Sequence, residues 1–210
     1  MPAFSFTATI DSYMQGVPED GKGVNYGSSG PLMVGVMYSS GTKAALFNAI
    51  GNFDVSSLTG ATINAAKLVH NIVDRAGSNS AKVKRCTRPS TWTEAGVTWN
   101  TYDGTNNWTT SGGDVDDTTP TPVAFNIPAN AGSFEITGMK DFVTDALNNR
   151  SGIVSVIYLL DNQDPGTDQT MRWKARNETP EPWKLIVDHG PFVKNIHVPI
   201  NQAVNRANTY

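Results

Sequence analysis

The sequence predicts an all-β protein: a jelly-roll-like sandwich of two antiparallel sheets, with one short helix and an extended C-terminal arm. Hydrophobic and polar residues alternate with a period of two through most segments, which is typical of half-buried strands. The 210 residues include 19 glycines and 12 prolines, and only 17% are charged, as expected of a domain with many turns. This length suits a single core, so we expect one domain over residues 1–189 and an arm over residues 190–210.

The first strands follow from this alternation and from the turns that separate them. Phe4, Phe6, Ala8 and Ile10 alternate with polar residues and predict a strand, whereas the glycine-rich stretch 16–30 predicts a loop. Further strands are expected wherever an apolar run ends at turn-forming residues, namely over residues 32–38, 44–55, 63–73 and 82–88.

The second half of the chain adds four strands, one of them over residues 171–176, and the helix. Residues 123–127 alternate and end at a proline, residues 153–160 form an unbroken apolar run, and residues 183–189 predict the closing strand. Between them the period changes to that of a helix near residues 138–149, with Thr137 as its expected cap. The apolar residues on one face of this helix are Met139, Phe142, Val143, Ala146 and Leu147.

The densest cluster of large side chains lies in residues 92–100, which read Trp-Thr-Glu-Ala-Gly-Val-Thr-Trp-Asn. Trp92 and Trp99 are large enough to close one side of a β-core, with each indole N–H satisfied at the rim. Glu94 lies between them and can accept backbone or indole hydrogen bonds. We therefore predict a structural clamp made by these three residues, with a binding site as the alternative interpretation.

This segment resembles the characteristic segment of the DNRLRE domain family, β-sandwich modules related to carbohydrate-binding modules. The resemblance extends in order over residues 7–189. It implies a β-sandwich and raises glycan binding as a possible activity. The other matching segments are Asn25-Tyr26-Gly27, residues 32–35, residues 53–58, residues 61–68, residues 134–147 and residues 182–187.

Two groups of residues are candidates for contact with a glycan. Tyr102 and Trp108 are the aromatic residues of the long loop 101–122, and their rings could stack on sugars; the alternative is that Trp108 folds back to cap the sandwich. Arg172, Lys174 and Arg176 alternate on one predicted strand face and could hold an acidic glycan; the alternative is a solvated face paired with acidic neighbours.

No cofactor is expected, although structural calcium is an alternative at two aspartate clusters. Both clusters lack the glycine and the terminal glutamate of a calcium-binding loop. No nucleophile elbow, phosphate loop or metal-binding motif is present, and the three histidines are scattered, so we expect a protein that is not an enzyme. The aspartates are Asp114, Asp116 and Asp117 in one cluster, and Asp161, Asp164 and Asp168 in the other.

Charge and targeting signals limit the possible partners. The net charge of −3 argues against nucleic-acid binding, and neither a signal peptide nor a membrane span is apparent. We therefore expect a structural protein of a virus particle, made in the host cytoplasm and located in the virion. A decoration protein of a tailed-phage capsid or a fibre head would suit these features, and host-surface glycans would be possible partners.

The predicted C-terminal arm is the main support for the hypothesis that the protein assembles into a virus particle. Ordering residues 190–210 costs about 1–2 kcal/mol per residue in backbone entropy, which so few apolar groups cannot recover on their own surface. Phe192, Val198 and Ile200 are the expected apolar anchors on another subunit, either a second copy or another virion protein. The alternative function is that of a carbohydrate-binding module in a polysaccharide-degrading system.

Overall fold

A computed structural model describes residues 3–27 and 30–192 and confirms the all-β prediction. The described part contains twelve strands, one α-helix, α1 (Lys140–Asn149), and two short 3₁₀ turns, Glu19–Gly23 and Ser56–Leu58. The strands are β1 (Ala3–Thr7), β2 (Ile10–Val17), β3 (Leu32–Ser39), β4 (Thr42–Asp54), β5 (Ala61–Ala76), β6 (Ser80–Cys86), β7 (Val115–Asp116), β8 (Val123–Asn126), β9 (Gly132–Thr137), β10 (Ile153–Leu160), β11 (Gln169–Trp173) and β12 (Lys184–Phe192).

The strands form one antiparallel hydrogen-bonded network because the long strands β4 and β5 change partners along their length. Strand β4 pairs with β3 over its first half and with β10 over its second, while β2 occupies its other edge. Strand β5 likewise pairs with β12, then with β11, and with β9 on its other side. The network therefore folds over into two layers, one with β2, β4, β10 and β6, the other with β1, β12, β5 and β9.

Aromatic residues fill the space between the layers. The Trp183 ring lies 4.7 Å from that of Phe53, and Tyr158 and Trp173 lie 5.0 Å apart, all four being fully buried. His70 of β5 joins this cluster, with its Nε2 atom 2.8 Å from the Tyr158 hydroxyl across the core. Burial lowers the pKa of His70 to about 3, so its ring is neutral at physiological pH.

The helix lies where the sequence predicts it, but its start differs. Thr137 is the last residue of β9 and pairs with Lys67, so it cannot cap the helix, and the capping prediction is wrong. Gly138 turns the chain with a φ of +89°, and Met139 takes the N-cap position without a side-chain cap. The buried face of α1 carries Phe142, Val143 and Ala146. No helix in residues 3–27 and 30–192 is long and apolar enough to cross a membrane.

Both ends of the domain differ from the sequence prediction. The strand expected near Phe4 divides in two because the chain crosses between layers: β1 pairs with β12, whereas β2 pairs with β4. Strand β2 also extends to Val17, two residues into the stretch 16–30 that we expected to form a loop. Strand β12 continues to Phe192, which pairs with Ala61 and so belongs to the sheet rather than to an arm. The other predicted anchors, Val198 and Ile200, lie outside the described residues.

Candidate functional site

The segment 87–114 lies over one face of β4 and forms what we term the tryptophan layer: Trp92, Trp99 and Trp108. All three indoles are buried. The Trp92 N–H donates to the Asn52 side chain at 3.0 Å, which ties the layer to the C-terminal part of β4. The Trp108 N–H donates to the Thr98 carbonyl at 3.0 Å. With both N–H groups satisfied inside the protein, these rings are held in place by the fold.

Trp99 lies between two glycines that allow close approach of the backbone. A Cβ atom added at Gly16 would lie 2.5 Å from the indole, and one added at Gly112 would lie 2.8 Å from it. Gly112 also has a φ of +90°, a conformation that side-chain-bearing residues rarely adopt. The pocket for the Trp99 ring thus depends on the absence of side chains at both positions.

Glu94 joins three distant segments through its carboxylate. The Arg176 guanidinium donates to both carboxylate oxygens, at 2.5 and 3.2 Å, and the Asp11 backbone N–H lies 3.5 Å from one of them. The Asp11 carboxylate accepts the Arg176 backbone N–H at 2.7 Å and the Trp183 indole N–H at 2.6 Å. Burial raises the pKa of Asp11 despite these donors. We call this group, Asp11, Glu94, Arg176 and Trp183, the junction.

The three basic residues predicted on one strand face do not share a strand. Strand β11 ends at Trp173, so Lys174 and Arg176 follow it in irregular structure. The Lys174 ammonium donates to the Pro180 carbonyl at 2.9 Å, and Arg176 is bound in the junction. Arg172 is the one of the three that stays in the strand. The predicted row of three basic residues on one strand face is therefore wrong, because the extended backbone stops one residue after Arg172.

The predicted stacking platform in the long loop is largely covered. Trp108 is only 5% exposed, and the half-buried Tyr102 ring packs 5.6 Å from it. The Arg88 guanidinium lies 4.6 Å above the centre of the Tyr102 ring and covers one of its faces. Trp108 therefore does not offer a free ring to a sugar, which corrects the expectation for this residue.

Each aspartate considered as a calcium ligand accepts hydrogen bonds or pairs with a cation. Thr118 hydroxyl and backbone donors and the Arg85 guanidinium hold the pKa of Asp116 well below its usual range. Within the described ranges, no group of three or more His, Cys, Asp or Glu side chains could hold a metal ion. The other partners are Arg88 for Asp114, Lys84 for Asp117, Lys82 for Asp161, Lys43 for Asp164 and the Tyr38 backbone N–H for Asp168.

The opposite face of β4 carries a partly exposed aromatic surface that we term the tyrosine face. Tyr13 and Tyr26 stack with ring centres 4.4 Å apart and planes 17° apart. Phe47 meets Tyr13 edge-on at 5.9 Å, and the Tyr26 hydroxyl donates to the Gln15 side chain at 2.6 Å. Met33 and Ala45 are buried beneath Tyr13 and Phe47. Two flat rings are thus fixed in position while part of their surface remains open to solvent.

Arg172 adds a cation to the tyrosine face. Arg172 of β11 pairs with Met33 of β3, and the Arg172 side chain is 39% exposed. Burial raises the pKa of Tyr13, and the positive charge of Arg172 partly opposes that rise. Asp74 lies 3.7 Å away and is itself well exposed, so it holds Arg172 only weakly. Sequence reasoning identified Arg172 but missed both tyrosines, whose meeting depends on the fold of the loop between them.

Comparison with known families assigns the chain to a family of carbohydrate-binding modules. A family model described as carbohydrate-binding module family 96 matches residues 2–119, more than half of the chain. The chain belongs to carbohydrate-binding module family 96. This membership supports the wider class to which the DNRLRE resemblance pointed, whereas the narrower assignment stays a prediction. No curated protein matches the sequence.

The matched region of the family 96 module contains most of the features described above. The tryptophan layer and the stacked pair Tyr13 and Tyr26 all lie within residues 2–119. Arg172 and Arg176 lie beyond the match, in the part of the chain that completes both the tyrosine face and the junction. Residues from outside the matched region therefore contribute to the candidate site.

Proposed function

We propose that this protein is a non-catalytic carbohydrate-binding module that binds a polysaccharide on its tyrosine face. Family membership supports the class of ligand. The observation that carries the location is the partly exposed stacked pair Tyr13 and Tyr26, with Phe47 packed edge-on against Tyr13. Aromatic rings held at an open surface are suited to contact with the apolar C–H faces of sugar rings.

Polar groups around the two rings supply the other half of sugar recognition. The Gln15 side chain accepts the Tyr26 hydroxyl hydrogen bond at 2.6 Å and donates its own amide N–H to the Val17 carbonyl at 2.8 Å, so it fixes the position of the Tyr26 hydroxyl at the edge of the face. Arg172 presents several N–H donors in a fixed planar arrangement, which suits adjacent hydroxyl or carboxylate oxygens. A few positioned polar groups around an apolar contact are the usual composition of ligand sites. The tyrosine face therefore combines a stacking surface with directional hydrogen bonding.

The two carboxylates that the junction brings together favour a binding role over hydrolysis. Asp11 and Glu94 could in principle form the pair of acids that glycoside cleavage requires. Their oxygens are instead engaged by the Arg176 and Trp183 donors, and Asp11 is only 2% exposed. A general acid or a nucleophile must be free to act on the substrate, whereas Asp11 is buried and Glu94 is held by the Arg176 guanidinium.

The location can be tested with paired tyrosine variants. Affinity electrophoresis in gels that contain a polysaccharide would first identify a retained ligand from a set of neutral and acidic polymers. Tyr26→Ala should then weaken binding about tenfold, the effect of losing one ring contact of about 1–1.5 kcal/mol. Tyr102→Ala is the matched control, because it removes a half-buried tyrosine from the other candidate surface.

The two variants also separate the candidate surfaces. Equal binding by Tyr26→Ala and the parent, with loss in Tyr102→Ala, would move the site to the long loop. Failure of the parent protein to bind any polymer would reject the carbohydrate-binding proposal itself. Circular dichroism spectra that match the parent would establish that each variant is folded.

A second candidate function, docking in an assembly such as a virus particle, is supported by an exposed aromatic cluster at the sheet edge. Phe4 of β1 is 44% exposed and Phe192 of β12 is 46% exposed, and the His189 ring lies 5.0 and 5.4 Å from them. An edge strand with exposed apolar residues is a template for pairing with another chain. Phe4→Ser with Phe192→Ser should abolish any oligomer that light scattering detects in the parent; an unchanged oligomer would reject this interface.

A further inference from the structure

A second open groove lies beside the tryptophan layer, on the other side of the loop that carries Tyr26. It has a volume of about 470 Å³ and lies between the 3₁₀ turn Glu19–Gly23 and the hairpin at Thr101 and Asn107. This volume falls within the range of about 300–1,000 Å³ that is typical of ligand pockets. Its lining is made of glycine, alanine, threonine and asparagine residues.

The walls of this groove are fixed by internal hydrogen bonds. The Asn25 amide donates to the carbonyls of Glu94 and Val97, at 2.7 Å each, and so holds the two loops together. The Thr98 hydroxyl accepts the Thr101 backbone N–H at 3.0 Å and closes the turn between them. A site with rigid walls loses little conformational entropy when it takes up a ligand.

Two polar side chains on the groove remain uncommitted. Asn100 and Asn107 both line it and are exposed, and in the described part of the chain neither side-chain amide has a partner. Each amide offers two N–H donors and one carbonyl acceptor. Alternating donors and acceptors match sugar hydroxyls, which both donate and accept.

No described residue on the wall of the groove carries an ionisable side chain. Asp103 and Lys22, two charged residues nearby, are bound within the protein. The Asp103 carboxylate accepts the backbone N–H groups of Thr105 and Asn106, which lowers the pKa of Asp103, and the Lys22 ammonium lies 2.6 Å from Glu19. The groove therefore offers no counter-charge to an acidic ligand.

We propose that this groove is a second glycan-binding site, specific for an uncharged sugar ring, with Asn100 and Asn107 as its hydrogen-bonding residues. It deepens the proposed function and rests on it. The cation at Arg172 makes the tyrosine face compatible with acidic or neutral sugars, whereas the groove accepts neutral ones. The protein would then contact two positions on a polymer, or two polymers, and the second contact would raise the apparent affinity.

The probes for this site are neutral hexasaccharides of β-1,4-glucan, β-1,3-glucan and β-1,4-mannan, with a hexagalacturonate as the acidic probe. In ¹⁵N-labelled protein, a neutral probe should shift the side-chain amide signals of Asn100 and Asn107. Each single Asn→Ala variant should bind that probe about fivefold more weakly, and the double variant about thirtyfold more weakly, since one hydrogen bond contributes about 1 kcal/mol. Asn177→Ala is the control, because Asn177 is exposed elsewhere on the surface.

The outcomes separate this site from the tyrosine face. Shifts of the two amide signals by a neutral probe, lost in the double variant and kept in Tyr26→Ala, would establish the groove as a separate site. Neutral binding within twofold of the parent in the double variant would overturn the inference. Binding of hexagalacturonate alone, or of every probe only through Tyr26, would overturn it too while leaving the proposed function standing. If the parent protein bound none of these probes and none of the polymers, both the second site and the proposed function would be rejected.

Discussion

The two faces of strand β4 carry aromatic surfaces of opposite character. Residues Asn48 and Asn52 point to one face, where their amides donate to the Gly112 and Pro89 carbonyls and hold the tryptophan layer in place. Phe47 points to the other face, where it meets the tyrosine face at the open edge of the sandwich. Successive residues of one strand thus support a closed surface and an open one.

The difference between these surfaces lies in how their polar atoms are satisfied. In the tryptophan layer the Trp92 and Trp108 N–H groups donate to acceptors inside the fold, and the rings are buried. On the tyrosine face the rings are half-buried with part of their surface in solvent, and Arg172 has only a weak partner. Aromatic content alone therefore does not identify a binding surface in this protein. Exposure together with uncommitted polar groups does.

Removal of an indole from the closed surface should have the largest effect on stability. Trp99→Ala should lower the free energy of unfolding by about 3–5 kcal/mol, since the cavity between Gly16 and Gly112 cannot collapse without moving backbone. Chemical denaturation of Trp99→Ala and of Tyr26→Ala would measure the contrast. A loss for Tyr26→Ala as large as that for Trp99→Ala would contradict the division into structural and binding surfaces.

The core that lies between the layers should respond to pH through His70. Its folded pKa of about 3 lies below the unfolded value near 6.5, so the unfolded state binds the proton preferentially at mildly acidic pH. This contribution to stability is complete above about pH 6.5 and decreases as the pH falls towards 3. At pH 5 the loss should be about 2 kcal/mol.

His70→Gln is the matched control for this pH effect, because an amide can still bond the Tyr158 hydroxyl without titrating. Denaturation midpoints of the parent and of His70→Gln between pH 7 and pH 5 would give the difference. Parallel curves would show that His70 does not cause the pH dependence. Below about pH 4 the paired aspartates, such as Asp114 and Asp161 with their lowered pKa values, should add their own losses.

Local patterns in the sequence predicted most of the secondary structure but not the candidate site. Alternation located β3, β4 and β6, and a change of period located α1, because both depend on neighbouring residues. Burial of Trp92 and Trp99 also followed from the size of their side chains. The single strand predicted near Phe4 was wrong, since nothing local marks the point where the chain changes layers.

The residues of the candidate site meet only through contacts between distant segments. Glu94 and Arg176 are 82 residues apart in the chain, and their pairing removes Arg176 from the set of free cations. Tyr26 lies in a stretch predicted as a loop, where side-chain direction has no periodic signal. The exposure of its ring depends on the path of residues 18–27 over β2, which no local pattern specifies.

The two arginines give the most selective test of the contrast between the surfaces. Arg176→Gln should lower the free energy of unfolding by about 1–2 kcal/mol, because it leaves the Glu94 carboxylate and the buried Asp11 without their cation while a third of the Arg176 side chain remains in water. Arg172→Gln breaks only the weak contact with Asp74, so its effect on stability should stay below about 0.5 kcal/mol.

Binding of the polysaccharide by these two variants should show the reverse order. Arg172→Gln should weaken it about fivefold through one lost hydrogen bond, while Arg176→Gln should bind as the parent does at temperatures where it is folded. Weaker binding by Arg176→Gln alone would instead place the junction in contact with the ligand and remove Arg172 from the site.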